Sequence, residues 1–211
     1  QERRDYEDRM SAAQDAIDGA LDAELDSLRG AQPDAATVGL IAGSPTERLW
    51  QRRPDDDDFL LVRLGTGTVP AAVRVHPPDA SPGSGAATPW LRAAPVAVPL
   101  RDVGNLGLAG PRPPAMATAR FVIGQLATLQ SPRYLSIVLL CGREDDHGER
   151  DWGWARWLPH AEPTAGQSCE VLVGVGREQA RARVAELTAV LEARLARHAG
   201  LGRWSGPRTV L

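Results

Sequence analysis

Val103-Gly-Asn-Leu-Gly-Leu-Ala-Gly-Pro-Arg-Pro-Pro-Ala-Met-Ala117, running on into Thr118-Ala-Arg-Phe-Val-Ile-Gly-Gln-Leu-Ala127, is the stretch on which the fold assignment turns. An apolar run that enters a Gly/Pro-rich turn and then opens an amphipathic helix is the strand-loop-helix frame that sets phosphates at a helix N-terminus. With Gly110 as the first residue of a G-x-x-x-x-G-K-[ST] loop, the second Gly falls on Ala115, the Lys on Met116 and the Ser/Thr on Ala117. Gly110, Pro111, Arg112, Pro113, Ala115, Met116 and Ala117 are therefore the candidate, degenerate nucleotide loop. The ammonium that reaches the β and γ phosphates and the hydroxyl that holds magnesium are both missing. Pro113 and Pro114 further remove two N–H donors from the cradle. The pattern predicts a nucleotide-binding frame without hydrolytic chemistry.

Composition agrees. All 24 basic residues are Arg, so no Lys is present to serve as a phosphate ligand or Schiff base anywhere in the chain. The absence of Lys with abundant Ala, Arg, Gly and Pro also fits a GC-rich coding bias. At 211 residues with 43% apolar content the chain holds one sizeable domain plus an extension, and a net charge of −3 argues against a nucleic-acid partner. Cys141 and Cys169 make no disulfide framework, the four His show no paired ligand spacing, and no apolar run approaches the ~18 residues of a membrane span. The first residue is Gln1 and the last run, Pro207 to Leu211, reads as a strand cut short, so both ends are expected to be excised from something longer.

Outward from the loop, Tyr134 to Cys141 is a near-continuous apolar run, as in a parallel strand buried on both faces. With the helix at Ala115 to Leu129 it completes a βαβ unit. The polar segment 142–151 follows at its carboxyl end, where open α/β sheets place ligands. A further strand at Glu170 to Val175 and a helix at Arg177 to His198 follow, with Ala180, Val184, Leu187, Val190, Leu191 and Leu195 expected to face inward. Of Trp152, Trp154 and Trp157, one or two are expected to sit in the core beneath the sheet rather than all three forming an aromatic docking surface.

Towards the N-terminus, residues 59–65 and 69–76 read as two strands around a turn at Thr66-Gly-Thr68, with a third strand at 95–100 and a low-complexity insertion at 77–89. Trp50 and Leu49 are expected core anchors, and Asp55 to Asp58 a solvated turn rather than a cation site. A short helix from Asp34 to about Leu40 has Asp34 as its cap. Residues 2–29 carry Tyr6, Met10, Ala13, Ile17, Leu21, Leu25 and Leu28 on one stripe of a long acidic helix. That pattern suits a stalk or a helix packed on its own domain.

Several of these segments together resemble the EccC family, the FtsK/SpoIIIE-like motor of type VII secretion. They are Arg3-Arg-Asp-Tyr6, Arg48-Leu-Trp-Gln-Arg-Arg-Pro-Asp55 with Asp58-Phe-Leu60, Gly107-Leu-Ala-Gly-Pro-Arg112, Leu129-Gln-Ser-Pro132 and Trp157-Leu-Pro-His160. The resemblance covers essentially the whole chain. It implies a stalk at 1–33, a linker and small β-meander at 34–101, and a degenerate RecA-like α/β domain at 102–211, with a parallel sheet and flanking helices. It also implies a place on the cytoplasmic side of the cell membrane, after two transmembrane helices and before three ATPase modules. The Walker B strand would then lie beyond Leu211. Arg3, Arg4, Tyr6 and Met10 become candidate contacts to other membrane subunits, and the downstream ATPase modules become partners in the same chain. The family's motor exports small helical hairpins with a Trp-x-Gly turn. No cofactor is expected, since loss of the Lys leaves only weak attraction of ATP and magnesium by backbone N–H groups. Two other functions compete: a residual ATPase using Arg112, and a DNA translocase, which the acidic balance disfavours.

Overall fold

The computed structural model describes residues 1–44, 46–76, 86–143, 146–164, 167–198 and 207–211. Contacts divide the chain into two units, one of residues 1–45 and 60–126, the other of residues 46–59 and 127–211. Most of the predicted insertion, residues 77–85, lies outside the described residues.

In the first unit α1 (Glu2–Ala31) is followed by α2 (Ala35–Gly43), whose cap is the predicted one: the Thr37 N–H donates to Asp34 Oδ1 at 2.8 Å. That bond, with the Thr37 side chain, holds the Asp34 carboxyl below its usual pKa. The hairpin β1 (Leu61–Pro70) and β2 (Trp90–Pro99) is antiparallel, running from Leu61↔Pro99 to Pro70↔Trp90. Thr66-Gly-Thr68 is therefore not a turn. The strand runs straight through it, with register shifts at Arg63/Gly65 and Gly67/Val69. Gly67 serves close approach, since a Cβ there would stand 2.9 Å from Val96 Cγ2. The connection between the strands starts at Ala71 instead, and the third predicted strand is part of a longer β2.

The stripe on α1 divides in two. Leu21, Leu25 and Leu28 pack on a core of Ala71, Leu91 and Ala94, whereas Tyr6 and Met10 are 58% and 47% exposed. Glu24 fixes the buried half. Its carboxylate accepts from the N–H of Ala72 at 2.7 Å and of Val73 at 3.1 Å, where β1 ends. Charge-assisted bonds of this kind contribute ~1.5–3 kcal/mol each before solvent screening. Glu24→Gln, which removes the charge and one acceptor, is expected to speed hydrogen exchange at the Ala72 and Val73 amides about tenfold, equivalent to ~1.4 kcal/mol. Unchanged exchange there would show that α1 is held by its leucines alone.

The single helical turn α3 (Leu100–Val103) leads into an extended loop, and α4 (Arg112–Leu129) opens after it. The strand expected before the candidate phosphate loop is absent: residues 104–111 are irregular and mostly exposed. Prolines at 111, 113 and 114 and glycines at 104, 107 and 110 explain this, because neither residue type suits a strand interior. The chain passes from the first unit to the second within α4, between Leu126 and Ala127.

In the second unit β3 (Leu135–Ile137) and β4 (Leu139–Cys141) are two halves of one extended segment. After them come α5 (Asp146–Trp152), 3-10 turns at 153–157 and 159–161, β5 (Val173–Val175), α6 (Arg177–His198) and β6 (Arg208–Val210). β3 pairs with β6 and β4 with β5, both in parallel. The N–H of Val138 donates to Val210 O while that of Leu139 donates to Leu172 O. Successive peptide groups of a strand point to opposite edges, so β5 and β6 flank the central segment on either side. The α/β class and the buried central strand are as expected, with Leu135, Ile137, Val138, Leu139 and Cys141 all in the core. The parallel pieces are three residues each, far smaller than a full RecA-type sheet. The polar segment after the strand becomes α5 rather than an open loop. Helix α6 departs from its expected face, because Val184, Leu191 and Leu195 are 47%, 56% and 64% exposed.

Candidate functional site

The candidate phosphate loop and the opening of α4 line a shallow cleft of about 270 Å³ bounded by Gly107 to Pro111, Pro114, Ala115 and Thr118. Gly110, at φ +146, turns the chain into the helix. The cleft brings Gly110, Pro111 and Ala115 together. Arg112, Pro113, Met116 and Ala117 do not line it. Its hydroxyl is already committed, since Thr118 Oγ1 donates to Pro114 O at 3.0 Å. The N–H of Ala115 donates to Pro111 O at 3.2 Å, and Pro111, Pro113 and Pro114 have none to offer. Of residues 111–115, three therefore have no N–H to donate and Ala115 has spent its own on the turn. A magnesium nucleotide needs several convergent donors and a cation there, so these residues do not fit one.

The family motifs converge elsewhere, on the opposite end of the same helix. The last turn of an α-helix leaves carbonyls without intrahelical partners, and here four consecutive ones are filled from outside. Trp50 Nε1–H donates to Ala127 O at 3.0 Å. The backbone N–H of Trp50 donates to Thr128 O, and that of Arg52 to Leu129 O, both at 2.9 Å. His160 Nε2 meets Gln130 O at 2.7 Å, and since a carbonyl only accepts, Nε2 carries the proton. Trp50 reaches two carbonyls because its backbone is left-handed, with φ +58, a conformation costly for a bulky residue. It is 40% exposed, so it is a donor at the rim rather than the core anchor expected, and Leu49 is half-buried. Trp50 and His160 meet edge to face, their ring centroids 6.4 Å apart.

The residues after Trp50 stabilise this cap. Arg52 is 2% exposed and its Nε lies 2.8 Å from Asp58 Oδ2. Burial pulls the guanidinium pKa down, and the Asp58 carboxylate opposes that shift. Asp56 Oδ2 accepts from the Arg53 N–H at 2.7 Å, and Phe59 is buried at 2%. The four-Asp run is thus used partly as a turn cap and partly as a counter-ion. Among the described residues no group of three His, Cys, Asp or Glu is arranged to hold a metal ion.

His160 is 1% exposed, and burial lowers its pKa below the usual 6.5. The sign follows from proton uptake: the unfolded chain protonates near 6.5 while the folded imidazole stays neutral. Stability is therefore full above about pH 6.5 and is lost as pH falls towards the depressed folded value, by up to ~1.4 kcal/mol per pH unit. Denaturation curves between pH 7.5 and about 5 should show this slope, and His160→Gln should flatten it. An unaltered slope would assign the pH dependence to other groups.

The Trp cluster is shallower than expected: Trp152 and Trp154 are half-buried and in tilted contact at 6.4 Å, and Trp157 is 88% exposed. On α1, Arg3 and Arg4 are exposed like Tyr6 and Met10, with Arg3 Nε 3.0 Å from Glu7 Oε1. Cys141 is buried and Cys169 half-buried, both as free thiols. Sequence reading missed Gln125 and Gln130, each 2% exposed or less. For Gln125 a signal exists, a lone amide between Phe121 and Leu129 on the apolar stripe of α4.

No family model matches the chain. It is similar to the ESX-4 secretion system protein EccC4 of Mycobacterium tuberculosis, at 32% identity over 173 residues, which is 75% of this chain and 14% of that protein. The ESX secretion system protein EccC of Thermomonospora curvata is 31% identical over 172 residues, 75% of this chain and 13% of its own length. YukB of Bacillus subtilis, also an ESX secretion system protein, is 29% identical over 140 residues, 60% of this chain and 9% of its own. The chain thus spans about one seventh of the length of these two EccC proteins.

Proposed function

Because the chain belongs to the EccC family of type VII (ESX) secretion proteins, we propose that it is a non-catalytic coupling domain of the secretion motor. In this reading it stands on the cytoplasmic side of the membrane, between the membrane assembly and ATPase modules of the same protein. The observation that carries the reading is where the motif chemistry goes. Trp50, Arg52 and His160 fill the carbonyls at the C-terminus of α4, while the N-terminus of α4 has prolines where a phosphate cradle needs donors. A RecA-like ancestry accounts for a helix that still follows a Gly/Pro loop and still leads into a buried parallel strand. With its catalytic end dismantled and its far end clamped, α4 is suited to transmit displacement rather than to hold a nucleotide. The exposed residues Arg3, Arg4, Tyr6 and Met10 of α1 offer the contact to another subunit. No helix among the described residues is long and apolar enough to cross a membrane, so attachment in this reading is through such contacts or through other parts of the protein.

Calorimetry with magnesium-ATP, together with a turnover assay on the same sample, tests the assignment. Neither binding at micromolar levels nor hydrolysis is expected. Turnover that disappears in Arg112→Ala would establish the competing reading, a residual ATPase in which Arg112 replaces the missing Lys.

A further inference from the structure

Arg63, on β1, is bonded to two helices of the first unit at once. Its side chain reaches α1: Nη1–H donates to the carbonyl of Gln32, the residue that caps the end of the helix, at 2.8 Å. A guanidinium suits that place, since the C-terminus of a helix offers unpartnered carbonyls and partial negative charge. Its backbone reaches α4, where the Gln125 side-chain amide accepts from the Arg63 N–H and donates to the Arg63 carbonyl, both at 2.8 Å. Each link is held at a second point. The guanidinium Nε–H donates to Gly65 O on the same strand at 3.2 Å, which pins the planar fork against β1. Gln125 Nε2 also donates to Phe121 O, one turn back on α4, at 3.3 Å. A shift at the end of α1 therefore meets a pinned side chain, then a strand residue, then an amide fixed to its own helix, with little slack to absorb it. The other anchors of α1 lie elsewhere, at Glu24 and at the leucines on the hairpin core. Helix α4 is the one along which the chain passes from the first unit to the second.

We propose that Arg63 is the positioning residue that couples α1 to α4, its side chain following the end of α1 and its backbone carrying that displacement to Gln125. The proposal rests on the coupling reading above and deepens it by naming the connection along which movement of α1 reaches α4. The competing account is that Arg63 simply caps α1. In that case loss of the guanidinium is felt at the end of α1 and not on α4, because the backbone atoms that Gln125 binds are unaltered.

Solvent exchange of the two Gln125 side-chain amide protons, followed by NMR on the 211-residue chain, tests this independently of any nucleotide assay. Arg63→Met removes the guanidinium at a half-buried position and keeps the backbone, so folding is retained, as circular dichroism checks. Exchange at the Gln125 amide is expected to quicken about tenfold, while the Ala72 and Val73 amides, bonded to Glu24, change by less than about twofold. Arg63→Lys keeps a cation without the two-point fork and should fall between. Gln32→Gly perturbs the far end. It loosens the last turn of α1 yet keeps the carbonyl that Arg63 binds, and the Gln32 Oε1 it removes has no partner among the described residues. It too should quicken exchange at Gln125, by about threefold, and should add nothing once Arg63→Met is in place. Unchanged exchange at Gln125 in Arg63→Met, an equal rise at Ala72 and Val73, or a Gln32→Gly effect that survives in the double variant would each overturn the proposal. ATP turnover found alongside this coupling would sink the non-catalytic reading and leave the role of Arg63 standing; absence of both would do the reverse.

Discussion

Gln125→Leu is expected to destabilise the first unit by about 2–4 kcal/mol, although leucine matches glutamine closely in size and suits the apolar stripe of α4. The reason lies in β1. Arg63 keeps its register partner Ala97 on β2, and next to the register shift the Gln125 amide binds the Arg63 backbone as a further strand would. The Arg63 N–H donates to Gln125 Oε1 and Gln125 Nε2 donates to Arg63 O, both at 2.8 Å, so one side chain acts as a single residue of a neighbouring strand. Gln125 is 2% exposed, so water has poor access to the two backbone groups once the amide is gone. Gln125→Glu sharpens the test, since it preserves the acceptor and removes the donor; the buried carboxylate then faces the Arg63 carbonyl, and its loss should be at least as great. Chemical denaturation gives the magnitude, and hydrogen exchange at Arg63 gives the location. A change within about 0.5 kcal/mol for the leucine variant would show that water satisfies the Arg63 N–H and carbonyl.

Asp58→Asn should cost about 3 kcal/mol in the second unit, more than Arg52→Met at the other end of the pair. The asymmetry follows from burial. The Arg52 side chain is 2% exposed and Asp58 33%, so deleting the carboxylate strands a guanidinium in the interior, whereas deleting the guanidinium leaves a carboxylate that water reaches. In the double variant the two losses should not add, because the second change removes the charge exposed by the first. Equal costs for the two single variants would mean that Arg52 is balanced chiefly by its other interactions. Either single change should also weaken the clamp on α4, which hydrogen exchange at the Trp50 and Arg52 amides would register.

What the sequence revealed depended on whether a signal was local. The Asp34 cap, the span of α1 and the buried apolar run at 135–141 are written in a few adjacent residues, and all are present. Thr66-Gly-Thr has the composition of a turn, and the close cross-strand approach of Gly67 to Val96 is visible only in the paired structure. On α6 periodicity shows that one face is apolar, not that a neighbour covers it, and Val184, Leu191 and Leu195 are exposed. The candidate site divided in the same way. Loss of the phosphate ligands could be counted residue by residue. That Trp50, Arg52 and His160 meet at one helix end could not, since they lie up to 110 positions apart and are joined only through the carbonyls of residues 127–130. Leu-Pro-His carries no mark that separates a capping imidazole from a catalytic one.

The cap on α4 also sets how these positions can drift over evolutionary time. What residues 127–130 ask of their neighbours is a supply of N–H groups, and two of the four come from backbone, which any residue but proline provides. Arg52 is constrained as a side chain by Asp58, and Gln51, exposed and outside this set, is free to vary. Position 50 is the narrow one, because it must hold a left-handed backbone and also deliver a side-chain donor. Asparagine answers both demands at shorter reach, and glycine answers only the first. A lineage that exchanged the tryptophan would therefore be expected to pass through asparagine, or to recruit a new donor for Ala127 from elsewhere in the unit.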